Sequence, residues 1–241
     1  MLKIDLHTHS IASGHAFNTI YELARAASEK GVELIAITDH GPNMKGSAHL
    51  EYFSMAKRVP KELFGVKILF GCEANIIDHD GTLDIPIEYL KSLDIVLIGF
   101  HKLTDFPKDS TREENTIAVI KAIEKYPVNI IAHPYRLDFP IIVEEVIKVA
   151  LLHNTLLEIN NSIFKTTEYN LNDELILQTR KMITVAKQNG WKLIIGSDAH
   201  IASEVGDNSN ILKYWKTLNL DDSLIISSVN QLQEFTNTKV R

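Results

Sequence analysis

The chain has 241 residues, 45% of them hydrophobic and 23% charged, with a formal net charge of −6. That length suits one α/β domain with a sizeable core, and the acidic balance disfavours long nucleic acid as a main partner. The opening MLKIDLHTHS has no apolar stretch fit for export and no 18-residue apolar run follows, so the expectation is a cytoplasmic protein with no membrane span.

Short apolar runs alternate with segments of helical period, the pattern of strand-helix units around a parallel sheet. The first run, residues 2–6, leads to Asp5, His7 and His9, with His15 in the loop beyond and a helix predicted over 19–30. The second, 33–38, ends at Asp39 and His40; a loop at 41–46 and a helix over 49–57 follow. The third, 66–72, ends at Glu73, and the fourth, 94–100, at His101 before a helix over 111–125. The fifth, 128–132, ends at His133 and leads to a helix over 141–153. The sixth, 155–159, carries Glu158, Asn160 and Asn161 at its end, with a helix over 173–189 behind it. The seventh, 192–196, leads to Asp198 and His200, and two helices near 209–218 and 223–236 close the outer layer.

Parallel strands in a barrel point one way, so these polar ends converge on the rim where such folds place their active sites. His7 and His9 stand two apart on a strand and emerge on one face, where they can share an ion. A single strand-end histidine is ordinarily satisfied by hydrogen bonds alone. The set His7, His9, His15, His40, Glu73, His101, His133, Asp198 and His200 is different, because burying so many imidazoles with two carboxylates is costly unless cations pair with them. Cys72 is the sole cysteine, so metals must be held by nitrogen and oxygen, and its alternation with Glu73 sends it into packing. His49, His79 and His153 fall on helices or loops and take surface or helix-end roles, Asp78, Asp80 and Gly81 form a turn, and Asp5 and Asp39 are read as groups orienting ligand imidazoles. Lys102, Arg136 and Asn161 are loop candidates for substrate contact.

The ordered motifs DLHTHS, ITDHG, GCEAN, GFH, AHP, EINNS and GSDAH resemble the PHP (polymerase and histidinol phosphatase) superfamily over most of the chain, and within it the small stand-alone bacterial phosphatase-type members. The resemblance implies a distorted seven-stranded βα barrel holding three divalent ions, zinc in the first place, with manganese or iron as alternatives. By similarity one ion takes His7, His9, Glu73 and Asp198, a second Glu73, His101 and His133, and a third His15, His40 and His200, with Glu73 bridging the first two. Glu73, Asp198 and His200 are also assigned to catalysis. The activity implied is hydrolysis of a small phosphomonoester by a metal-bound hydroxide, which suits a chain with no nucleophile motif. A phosphodiesterase or nuclease of the same superfamily, an amidohydrolase-type hydrolase and a metal-buffering module are the rival readings.

Overall fold

A computed structural model describes residues 1–165 and 173–235. All seven expected strands form: β1 (Ile4–Thr8), β2 (Leu34–Ile37), β4 (Val66–Asn75), β5 (Ile95–Gly99), β6 (Ile130–Ile131), β7 (Leu156–Asn160) and β8 (Leu193–Gly196). They pair in parallel in the order β1-β2-β4-β5-β6-β7-β8. Two short strands were not anticipated: β3 (Glu62–Leu63), antiparallel to β4, and β9 (Ile225–Ile226), parallel to β8. Most strand residues are buried on both faces, as a parallel sheet between a filled interior and a helical layer requires.

The outer layer comprises α1 (Ile20–Glu29), α2 (Leu50–Ser54), α3 (Ile87–Leu90), α4 (Arg112–Lys125), α5 (Val143–His153), α6 (Asp173–Gln188), α7 (Ser209–Tyr214) and α8 (Val229–Phe235). Capping boxes start two of them: Thr19 with Glu22 on α1, and Thr111 with Glu114 on α4, each satisfying backbone donors reciprocally. The predicted helix over 49–57 breaks after Ser54 into a tighter turn of helix over Met55–Arg58, and the one near 209–218 stops at Tyr214. The helix predicted over 223–236 is corrected: Ile225 and Ile226 pair with Leu193 and Ile194, and helix begins only at Val229. Two β-branched residues beside an open sheet edge gain more from ladder pairing than from helix. Thr236 lies outside the described residues. Among them, no helix is long and apolar enough to cross a membrane.

Sheet curvature brings the ends of the strand order together. Beyond β8, Ala199 bridges to Thr8, with His9 N–H donating to Ala199 O at 2.8 Å. Lower down β9 lies against β8 instead, so direct closure is confined to the rim where the polar strand ends gather. Asp5 reinforces that seam. Its carboxylate accepts from the Ser197 hydroxyl (2.6 Å), Gly206 N–H (2.7 Å) and Ser197 N–H (3.1 Å). Asp5 was expected to orient a ligand imidazole; its hydrogen bonds go to the β8 end and the following loop, because its place two residues before His7 is one layer deeper. The β1–β2 register shifts between Asp5 and Thr8, an irregularity of the kind that re-aims side chains, and His7 lies within it.

Asp5→Ala would leave the Ser197 and Gly206 N–H groups buried without their acceptor and the Ser197 hydroxyl with only the 3.3 Å contact to His7 O. The expected result is a loss of about 3 kcal/mol or more in unfolding free energy, read from urea denaturation; an unchanged midpoint would refute the stapling role.

Candidate functional site

Glu73 is the hub. It lies within β4, 1% exposed, and imidazoles from the surrounding strand ends face both its oxygens. Oε1 meets His133 Nε2 at 2.9 Å and His101 Nε2 at 3.1 Å. Oε2 meets His40 Nδ1 at 3.0 Å, His7 Nε2 at 3.2 Å and His9 Nε2 at 3.5 Å. Asp198 Oδ1 reaches His9 Nε2 (3.2 Å), His7 Nε2 (3.4 Å) and His200 Nδ1 (3.5 Å). The rings continue into a belt, with His9 against both His40 and His200 at 4.4 Å between centroids, and His15 stacked on His40 at 5.1 Å and near His200 at 4.8 Å. The structure thus brings all nine expected residues together, with His15, exposed in its loop, joining through ring contacts alone.

Backbone conformation is bent to this purpose. His133 (φ 35°) and Asp198 (φ 55°) both adopt left-handed geometry that costs a non-glycine residue energy and persists where surroundings enforce it. At His133 the enforcement is visible, since its N–H donates to Glu158 Oε2 at 2.9 Å. Gly196 is required by close approach: a Cβ there would lie 2.0 Å from Glu158 Oε1 and 2.9 Å from His7 Cβ.

Supporting groups hold the rings. His7 Nδ1–H donates to Glu158 Oε1 (2.7 Å), and His101 Nδ1 lies 2.7 Å from Asn75 Oδ1, whose amide is fixed by donating to Gly41 O and Asp84 Oδ2. Asn160 bridges Glu158 Oε2 and Asp198 Oδ2 at 3.1 and 3.2 Å. Asp39 accepts from Ser10, Ser13 and Tyr52 rather than from an imidazole, so it acts on the rings at one remove. Glu158 and Asn75 were not assigned this role from sequence; Asn75 shares a strand face with Glu73 on β4, so period-two alternation could have found it, and Glu158 was noted only as a polar residue at the end of its strand. Ser13 and Tyr52 sit in a loop and on a helix, and no sequence period marks them.

The arrangement fits divalent ions on its own geometry. Ligand atoms at 2.0 to 2.1 Å from a tetrahedral zinc stand about 3.3 Å apart, and His7 Nε2, His9 Nε2 and Asp198 Oδ1 are separated by 3.0, 3.2 and 3.4 Å. His40 Nδ1 and Glu73 Oε2 are buried and complete no hydrogen bond, a deficit an ion would remove. Among the described residues, three sets place their ligand atoms within 4.8 Å of one another: His7, His9 and Asp198; His40, Glu73 and His101; and His9, His40 and His200.

Of the rim candidates, Lys102 pairs with Asp138 at 2.8 Å and Arg136 lies 3.6 Å from the same carboxylate. Asn161 is corrected: buried, its Oδ1 accepts from Asn210 and Ile211 N–H at 3.1 Å each, which ties down the start of α7 and removes it from substrate contact. His79 bonds Ser110 at 2.7 Å, His153 ends α5, His49 precedes α2, and Cys72 is packed in the core, as their surface and packing assignments require.

Burial alone would raise the Glu73 carboxyl, but His101, His7 and His40 outweigh it and hold the group well below its ordinary value; against the same burial, His7, His9 and His200 do so for Asp198. Burial lowers His9, helped by His40 and His200, lowers His15 likewise, and brings His101 down to about 3 against the pull of Glu73. His7 goes the other way, because Glu158, Glu73 and Asp198 overcome its burial. The pH response of chelated protein follows. The unfolded chain protonates His9, His15 and His101 near pH 6.5 while the fold resists, so stability falls as pH drops below about 6.5. His7, raised, already gives its full contribution there, and Glu73 and Asp198 lose theirs only below about pH 4. Urea midpoints of chelated protein should therefore decline from pH 6.5 to 4.5; a flat or rising profile would contradict the neutral buried imidazoles.

Residues 5–241 match the PHP domain family. A probable phosphatase of Thermoanaerobacter sp. (strain X514) is 42% identical over 241 residues, covering 100% of this chain and 96% of that protein. A probable phosphatase of Acetivibrio thermocellus is 40% identical, covering 98% and 95%. Among solved structures, the histidinol phosphate phosphatase of Lactococcus lactis, crystallised with zinc, L-histidinol and phosphate, superposes with a TM-score of 0.61 at 18% identity, covering 90% of this chain and 94% of that one, a likeness of fold. With a family match from Asp5 onward and relatives 40% and 42% identical along nearly its whole length, this chain belongs to the PHP domain family.

Proposed function

We propose that this chain is a metal-dependent phosphatase that hydrolyses small phosphomonoesters at a site for three divalent ions, zinc in the first place. The observation that carries the reading is the single buried carboxylate of Glu73 with imidazoles facing both of its oxygens, the arrangement of a bridge between ions. His7, His9, Glu73 and Asp198 would hold one ion; Glu73, His101 and His133 a second; His15, His40 and His200 a third. The close approach of His40 Nδ1 to Glu73 Oε2 and the ring contact of His9 with His200 support sharing of ligands between these sets. The names of the relatives support the activity, and the neighbour bound to L-histidinol and phosphate supports a small substrate.

Ions held there would supply Lewis acidity, lowering the pKa of bound water and offsetting charge on phosphate oxygens. The protein contributes fixed geometry. Glu158 and Asn75 engage the Nδ1 atoms of His7 and His101, so the Nε2 atoms are the ones aimed inward and would be the ones to hold ions. Asp198 and His200, with side chains 12% and 26% exposed, border the mouth where a substrate arrives. Asp198 keeps Oδ2 anchored by Asn160 and Oδ1 directed at the imidazoles, so its charge would help hold an ion and orient an attacking water beside it.

Elemental analysis of unchelated protein should find two to three transition ions per chain. Glu73→Gln keeps the shape and removes the bridging charge, so it should lose at least one ion and lower phosphomonoester turnover by roughly 10²-fold or more. A panel of phosphomonoesters, phosphodiesters, amides and lactones tests the substrate class: turnover of diesters with every monoester inert would replace this reading with a phosphodiesterase, and undiminished metal and rate in Glu73→Gln would remove the bridge.

A further inference from the structure

Ser13 lies in the loop between β1 and α1, fully buried, and its hydroxyl oxygen stands at a junction of three contacts. Asp39 Oδ1 is 2.7 Å away, His9 Nδ1 2.9 Å, and the backbone nitrogen of His40 3.2 Å. The directions of these bonds are fixed from one end. Asp39, as a carboxylate, only accepts, and it takes hydrogens from Ser10 N–H, Ser10 Oγ–H and Tyr52 O–H as well as from Ser13. The Ser13 hydrogen therefore points at Asp39, since two bare oxygens at 2.7 Å would repel. What remains on Ser13 are lone pairs, one facing the His40 N–H and one facing His9 Nδ1. Lone pair against lone pair at 2.9 Å in a buried site is unfavourable, so Nδ1 of His9 must carry the imidazole hydrogen. The other nitrogen, Nε2, is then bare, and it is the atom directed at His7 Nε2, Asp198 Oδ1 and Glu73 Oε2.

We propose that Ser13 is a positioning residue that selects the ion-holding tautomer of His9 while pinning the backbone of His40, so that one hydroxyl prepares ligands from two different strands. This rests on the reading of His9 as a ligand. His7 and His101 are set directly by a carboxylate and an amide oxygen, which cannot reverse; a hydroxyl can, and the relay keeps its sense through Asp39. Asp39→Asn preserves it. The Ser10 N–H requires an acceptor at the Oδ1 position, so the amide oxygen stays there, still accepts from Ser13, and only the rotatable Ser10 and Tyr52 hydroxyls need turn to the new NH₂. Ser13→Ala removes the acceptor, and the His9 hydrogen is no longer tied to Nδ1.

The test is long-range ¹H–¹⁵N correlation of the imidazoles in zinc-supplemented protein, with His9 assigned by its loss in His9→Gln, combined with zinc affinity by chelator competition. The wild type and Asp39→Asn should show hydrogen on Nδ1 of His9. Ser13→Ala should show hydrogen on Nε2 in a substantial fraction and bind its weakest-held zinc about 10- to 100-fold less tightly, and Ser13→Thr should restore both. Hydrogen on Nε2 of His9 in the wild type overturns the proposal without recourse to any variant, as does Ser13→Ala with unchanged tautomer and affinity. The Nδ1–H form in a wild type that takes up no zinc would uphold the relay and sink the three-ion reading instead.

Discussion

A carboxylate at the centre of a barrel, out of reach of water and ringed by imidazoles, is the constraint on which the rest of this structure depends. Glu73 brings a negative charge to a place where it could not survive alone, since a desolvated, unpaired carboxylate would simply take up a proton. The imidazoles around it come from β1, from the segment after β2 and from those after β5 and β6. Their mutual positions are fixed only if those strands stand at the correct stagger. The site and the sheet are therefore one construction problem, solved by the register of β2, β4 and β5 below it and by the seam between β1 and the end of β8.

Around this centre the polar network divides into two kinds of support. Rigid acceptors, Glu158 and Asn75, hold two rings without choice of direction. Asp39 instead gathers three hydroxyls, two from the β1–α1 connection and one from α2, and burial together with that carboxylate pushes the Tyr52 phenol far up, keeping it a donor. Such a network has few unmet groups among the described residues, and two of them are informative: His40 Nδ1 and Glu73 Oε2 lie at the centre, where a cation would complete them.

The sequence made the sheet readable because buried parallel strands are short apolar runs with polar punctuation, and this chain places a histidine, aspartate or glutamate at nearly every such stop. Ligand-type residues were legible for the same reason: alternation puts His7 and His9 on one face, and strand direction puts all the stops on one rim. What escaped depended on contacts between elements far apart in the chain. Ile225 and Ile226 read as helix until the open edge of β8 is present to pair them. Asp5 looks like a partner for an imidazole until closure brings Ser197 and Gly206 to it. Asn161 looks like a rim residue until α7 lies across it. Ser13 has no periodic signal, since its importance lies in two nitrogen atoms that the loop happens to bring within reach.

The seam at Thr8 and Ala199 also has an entropic side. Asp5 and Ser197 are separated by 192 positions in the chain, and joining such distant segments carries a high entropic cost that the barrel must meet to close. Glu73, His101 and His133 come from three neighbouring positions in the strand order and meet without that closure. His7 and His9 meet Asp198 only once the first and last strands of the barrel have met. The corner built from His7, His9 and Asp198 is thus present only in a chain whose first and last strands have been joined.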